Sequence, residues 1–197
     1  MAKKQISFPA KKTILIVVVL YILVLLLQPK RFHIWYPTIP VYPDNNKEID
    51  FMVKEYVSKR TQNDIDLFNL TDASPVDAFK SKITEEQYKK LIEIVESDEV
   101  RGKIMLHKRI FNRARPAQIA PEKLNALKSM TGDNPSYPSG HAYQSFYTAK
   151  LLSKWEPARK REWDETAERT AFIRVYMGIH YPSDVEFARR LVDKLEV

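Results

Sequence analysis

The chain has 197 residues, 44% of them hydrophobic, enough for one domain with a buried core and too apolar for a disordered polyelectrolyte. It contains no cysteine, which excludes disulfides and thiolate chemistry. The formal charge of +7 is a local feature: residues 1–31 hold six of the 32 basic residues and no acid, and the 26 that remain nearly balance 25 acids. Nucleic acid is therefore not an expected partner.

Residues 1–12 form a basic tail, and residues 13–29 read as a membrane anchor. Ile14 to Leu27 is apolar without a break, and Lys12 and Lys30 flank seventeen uncharged residues, close to the shortest span a bilayer accepts. A cleavable signal peptide has an apolar stretch of similar length, but Leu27-Gln28-Pro29 offers no small-x-small cleavage site. A buried core helix is the third reading. The four lysines before the span place the amino end in the cytoplasm and the domain outside it or in a lumen.

Residues 30–46 are a linker rich in Pro and aromatics. Pro37, Pro40 and Pro43 suit a polyproline-like stalk, with Trp35, Tyr36 and Tyr42 at the membrane interface; a Pro-rich loop wrapping the domain fits equally. Residues 47–197 are the expected domain. Ile49, Met52, Val53, Tyr56 and Val57 recur at helical spacing, as do Tyr88, Leu91, Ile92 and Val95, the second set behind a Thr84/Gln87 capping box. Arg60 to Asp72 reads as a loop with short turns. A helix is expected over Asp98 to Asn112, with Val100, Ile104, His107 and Phe111 on one face and His107 structural. Pro116 is expected to end regular structure. Ala117 to Ser136 then connects, with a short helical piece over Glu122 to Met130.

The next stretch carries chemistry. Tyr137-Pro138-Ser139-Gly140-His141 precedes a helix over Ala142 to Trp155, so a hydroxyl and unpaired backbone N–H groups meet at the positive end of a helix dipole, an anion site with His141 as a proton donor beside it. The last long helix runs over Glu162 to Ile179, where small Ala167, Thr170 and Ala171 share a face with Arg174 and let a neighbouring helix approach. After it, Pro182 puts Asp184 in the opening turn of another helix with His180 on the same side; a Ser183/Glu186 capping box would start that helix one residue later. By itself, Asp184 is also what any helix start favours. No strand-like alternation or repeat appears, so the expected fold is all-α.

Three spaced blocks now stand in order: Lys108 with Arg115 and Pro116 after six residues; Pro138-Ser139-Gly140-His141; and Arg174, His180 and Asp184 separated by five and three residues. They resemble the signature of the type 2 phosphatidic acid phosphatase (PAP2) superfamily, with Ile173 where the family has serine. The resemblance implies a compact helical bundle and a metal-free phosphatase without cofactor. It implies that Lys108, Arg115, Ser139, Gly140 and Arg174 bind phosphate. His180 would attack phosphorus to give a phosphohistidine, His141 would protonate the leaving oxygen, and Asp184 would orient His180. Ser136 to His141, and more softly Leu67 to Asp72, also resemble class A acid phosphatases, so the expected substrate is a soluble or interfacial phosphate monoester. A lipid phosphate taken at the bilayer surface and a non-catalytic phosphate-binding protein are the alternatives, and a vanadium haloperoxidase ranks after them.

Overall fold

The computed structural model describes residues 10–27 and 39–196. Its elements are α1 (Ala10–Leu27), α2 (Asn45–Glu55), α3 (Gln62–Thr71), a 3-10 stretch Pro75–Lys82, α4 (Glu85–Val95), α5 (Asp98–Phe111), the single turns α6 (Pro116–Ile119) and α7 (Pro121–Leu124), α8 (Gly140–Trp155), α9 (Lys160–Tyr176) and α10 (Pro182–Asp193). Among the described residues there are no strands, and the domain is the all-α bundle expected.

Helix α8 is the centre. Its His141, Ala142, Tyr143, Ser145, Phe146, Thr148, Ala149, Leu151 and Leu152 are all buried, so it is enclosed on most sides rather than amphipathic. It packs against α9 and α10, and also meets α4, α5 and the 3-10 stretch. The close partner is α9, whose fully buried Ala167 and Ala171 allow that approach. Trp163, Phe79, Leu91, Val95, Leu152 and Val185 fill the core between these helices.

Several boundaries differ from the sequence reading. The segment from Arg60 to Asp72 is not a loop: it holds α3, started by a Thr61/Asp64 capping box. Asp64 Oδ2 accepts the Thr61 N–H at 2.8 Å, and Phe68 on that helix is buried. Pro116 does not end regular structure but opens α6, and Pro121 opens α7, each at the first helical position, where the missing N–H costs nothing. The expected piece over Glu122 to Met130 is thus one turn ending at Leu124.

Helix α9 stops at Tyr176, three residues earlier than expected. Gly178 has φ +73, the left-handed cap conformation that glycine adopts without strain. An added Cβ there would lie 3.2 Å from Leu124 Cβ. The Ile179 and His180 N–H groups both turn back to the Arg174 carbonyl, at 3.1 and 3.3 Å.

The side chains of residues 13–24 on α1 are exposed. Among the described residues no helix is long and apolar enough to cross a membrane. The expected anchor, residues 13–29, falls partly outside the described residues, as do most of the basic tail and the first part of the linker, including Trp35, Tyr36 and Pro37.

The contact between α8 and α9 yields a test. Ala171→Leu should overpack it and lower unfolding stability by about 1–3 kcal/mol, read as a lower urea midpoint at unchanged slope.

Candidate active site

The ends of α5, α8 and α9 converge on one cavity of about 690 Å³, whose wall includes Lys108, Arg115, Gly140, His141 and His180. Ser139, Arg174 and Asp184 are buried and join that wall through neighbours: Ser139 precedes Gly140, Asp184 bonds to His180, and Arg174 bonds to Asp72, whose carbonyl is 3.0 Å from His141. All eight residues expected from the sequence are thus brought to one place. A larger hollow of about 900 Å³ among α8, α9 and α10 contains none of them.

Each side chain arrives for a local reason. Lys108 is in the last turn of α5, where a cation complements the helix dipole, yet it is buried. Its Nζ donates to the carbonyls of Pro135 and, at 3.5 Å, Ser136. Asn112 closes α5 in the left-handed conformation, which turns the chain so that Arg113 and Arg115 point inward. Arg115 Nε donates to the Asn134 carbonyl at 2.9 Å and Nη2 to the Thr131 carbonyl at 2.8 Å. Its Nη1 donates to the Ile179 carbonyl at 2.9 Å and lies 3.0 Å from His180 Nε2.

That last contact determines the tautomer. A guanidinium only donates, so Nε2 must present its lone pair and the ring proton must sit on Nδ1. His180 Nδ1 is 2.9 Å from Asp184 Oδ2, which accepts that proton. Oδ2 also accepts the Tyr181 N–H at 2.9 Å and the Ser136 hydroxyl. Asp184 is the third residue of α10, which begins at Pro182; of the two helix starts considered, the proline start is the observed one. Burial, and then the Arg115 charge, hold His180 down to about 3 against the opposing bond to Asp184. Burial would raise Asp184, but Arg113 and the bonds from His180 and Ser136 hold it well below the usual carboxylate range. The pair is a neutral imidazole, its Nε2 lone pair accepting from Arg115, beside a permanent carboxylate.

His141 Nε2 is 3.0 Å from the Asp72 carbonyl, which only accepts, so Nε2 carries a proton and Nδ1 is the second site. Burial, then the Arg174 charge, push this ring well below its ordinary value, against the Asp72 bond. Arg174 is fully buried in α9. Its Nη2 donates to the Thr71 carbonyl and hydroxyl at 2.5 and 2.8 Å, and Nη1 to Asp72 Oδ1 at 3.3 Å. Its Nε has no hydrogen-bond partner among the described residues.

Two details of the expected cradle change. The Ser139 N–H is committed to the Asp184 carbonyl at 3.1 Å, so it is not an anion donor. The Ser139 oxygen accepts the Ala142 N–H at 3.3 Å, capping α8, which leaves its own proton to donate. At Gly140 a Cβ would meet Ile104 Cγ2 at 3.6 Å, an ordinary contact, so the surrounding protein does not itself demand glycine. Ile173 is buried with Phe68, Met177 and Ile179 in a small apolar cluster.

Sequence reasoning gives no role to Asp72, Arg113 or Glu48, and none to Ser136 beyond its place in a motif. No sequence pattern singles out Arg113, whose partner Glu48 lies 65 residues away.

The cations repel one another. Arg115 and Arg174 are each pushed down to about 10, by burial first, and Arg115 adds to the depression of Arg174 and of Lys108. Packing like charges without water is unfavourable; an anion among them, accepting the idle Arg174 Nε–H, would relieve it.

The family model of the PAP2 superfamily matches residues 100–191. Among solved structures, the chain is similar to a transmembrane PAP2 type phosphatidylglycerolphosphate phosphatase from Bacillus subtilis, at 18% identity over 90% of this chain and 89% of that one, with a TM-score of 0.48. No curated protein matches.

The two depressed histidines set a pH dependence. Between the ordinary value of 6.5 and about 3, the unfolded chain binds a proton at His180 that the folded chain refuses, and His141 acts in the same sense. Stability present above pH 6.5 is therefore lost as pH falls, because each histidine opposes folding once the unfolded chain is protonated there. Urea midpoints should drop from pH 7 to pH 4.5, and His180→Asn should flatten that slope.

Proposed function

We propose that the chain hydrolyses phosphate monoesters by passing the phosphoryl group through His180, a reading supported by the match of residues 100–191 to the PAP2 superfamily model. The observation that carries the reading is the line from Arg115 through His180 to Asp184, with bonds of 3.0 and 2.9 Å. It holds one imidazole neutral, in a single tautomer, with its lone pair facing cations.

In this mechanism the phosphate oxygens take bonds from Lys108, Arg115, the Arg174 Nε–H and the Ser139 hydroxyl. Arg115 Nη1 turns from Nε2 to an oxygen, which frees the lone pair. Nε2 attacks phosphorus as the bond to the leaving oxygen breaks, and His141 Nδ1 delivers a proton to that oxygen. Asp184 offsets the charge that develops on the His180 ring. Water then attacks phosphorus, His141 takes its proton and the P–N bond breaks, releasing inorganic phosphate. Fixed donors stabilise the charge on the transferring group throughout. His141 must be protonated to begin, and the substrate's negative charge among the cations is what raises it.

Soluble or interfacial monoesters are the first choice of substrate, with the domain tethered by residues 13–29 and lying outside the cytoplasm. A second reading, a lipid phosphate taken at the bilayer surface, is favoured by the exposed apolar side chains of α1 and by the position of that helix beside α5, which carries Lys108.

The full chain should turn over p-nitrophenyl phosphate, with inhibition by vanadate and insensitivity to chelators. His180→Ala should lower kcat by about 10³-fold or more. A wild-type chain that binds phosphate without turnover at any pH from 4 to 8 is a binding protein instead. A strong preference for phosphatidate in mixed micelles over nucleotides and sugar phosphates selects the lipid reading.

Inorganic phosphate should also bind with proton uptake. The His141 ring nitrogens, followed by NMR in ¹⁵N-histidine protein, should titrate at higher pH once phosphate is added.

A further inference from the structure

Arg113 lies between Lys108 and Arg115 but does not face the cavity. We propose that it is a positioning residue for His180, acting through Asp184, and that the start of α2 belongs to the catalytic apparatus because it holds Arg113 in place. The proposal rests on the phosphatase reading for its kinetic consequence only.

The side chain is fully buried. Its Nη1 donates to Asp184 Oδ1 at 2.6 Å and to the Ser183 hydroxyl at 2.8 Å. Its Nη2 donates to Glu48 Oε2 at 2.6 Å, and Nε to Asn45 Oδ1 at 3.0 Å. The guanidinium stacks on the Tyr181 ring at 3.6 Å and faces Tyr42 at 4.3 Å. Glu48 also accepts the Ser183 N–H and hydroxyl, at 3.0 and 2.6 Å, which ties the first turn of α2 to the first turn of α10.

The division of Asp184 is what gives this arrangement a consequence. Oδ2 serves His180, Ser136 and the Tyr181 N–H; Oδ1 serves Arg113. With each oxygen held from a different side, the carboxylate cannot rotate, and Nδ1 of His180 meets a fixed acceptor. Arg113 also supplies the charge that opposes the burial of Asp184. Of the other groups around this carboxylate, Lys108 and Arg115 are cations on the cavity side. Glu48 lies beyond Arg113, and the phenols of Tyr137 and Tyr181 are pushed up by burial and stay neutral. Removing Arg113 leaves two acids, Glu48 and Asp184, around one buried space, and Asp184 then takes up a proton at higher pH. A protonated Asp184 no longer holds the Nδ1–H tautomer. Lysine would restore charge but neither the two-sided grip nor the stack.

The test compares Arg113→Met and Arg113→Lys in the full chain. The expected result for Arg113→Met is a kcat lower by about 10- to 100-fold, with inhibition by vanadate changed by less than about threefold, since Arg113 does not line the cavity. The acid limb of kcat/KM should move to higher pH, with Arg113→Lys between the variant and the wild type. Unchanged kcat, or kcat and vanadate affinity falling together with the acid limb unmoved, overturns the proposal. If Arg113→Met does not fold, Arg113→Lys carries the test: its acid limb should move the same way by less, and an unmoved limb overturns the proposal. A readout independent of turnover separates this from the phosphatase reading. Nitrogen shifts of His180 should report the Nδ1–H tautomer in the wild type and a mixture in the variant; an unaltered tautomer overturns the proposal even if the chain hydrolyses nothing.

Discussion

Burying positive charge is the constraint under which this molecule is built. Lys108, Arg113, Arg115 and Arg174 are all almost wholly removed from solvent, in a domain small enough that each desolvated charge matters to its stability. The protein treats them in two ways. Arg113 is matched by two carboxylates, Glu48 and Asp184. Lys108 and Arg115 are held mainly by backbone carbonyls, and Arg174 by carbonyl, hydroxyl and the partly exposed Asp72. Carbonyl dipoles fix a cation without neutralising it, so net positive charge remains where the cavity opens.

That difference separates the parts by task. The neutralised arginine can act as a rigid strut behind the histidine pair, whereas the carbonyl-held cations keep their attraction for a dianion. His180 stands on the boundary, with Arg115 on its Nε2 side and Asp184 on its Nδ1 side. Both neighbours are required to define the ring: one forbids a proton on the first nitrogen, the other demands one on the second.

The residues on the cavity wall are legible in the sequence because the chemistry restricts both their type and their spacing. A lysine, two arginines and two histidines stand in three ordered blocks, and the fold gathers them around one cavity. What supports them is not legible, since a fully buried Arg113 and a solvated surface arginine look alike in a string of letters; only the fold brings Glu48 to it from 65 residues away. The helical core is readable from its apolar periodicity in α2, α4 and α5. Where sequence pattern and structure diverge, the causes are local. A T-x-x-D box opens α3 although its aspartate is shorter than the usual glutamate, a proline at the first helical position starts α6 and α7 as readily as it stops a helix elsewhere, and Gly178 caps α9 inside an apolar run that otherwise continues. The backbone role expected of Ser139 is one that Asp184 already claims through its carbonyl.

The turn at Gly178 has a further consequence, for how such a chain can vary. Because the amides of Ile179 and His180 both close onto the Arg174 carbonyl, the interval between that arginine and His180 is a ring of fixed circumference rather than a tether. Side chains inside the interval are themselves constrained, Gly178 by its φ of +73 and by Leu124 Cβ at 3.2 Å from an added Cβ, and its length is fixed as well. An insertion or deletion of even one residue would break the loop closure and separate Arg174 from His180.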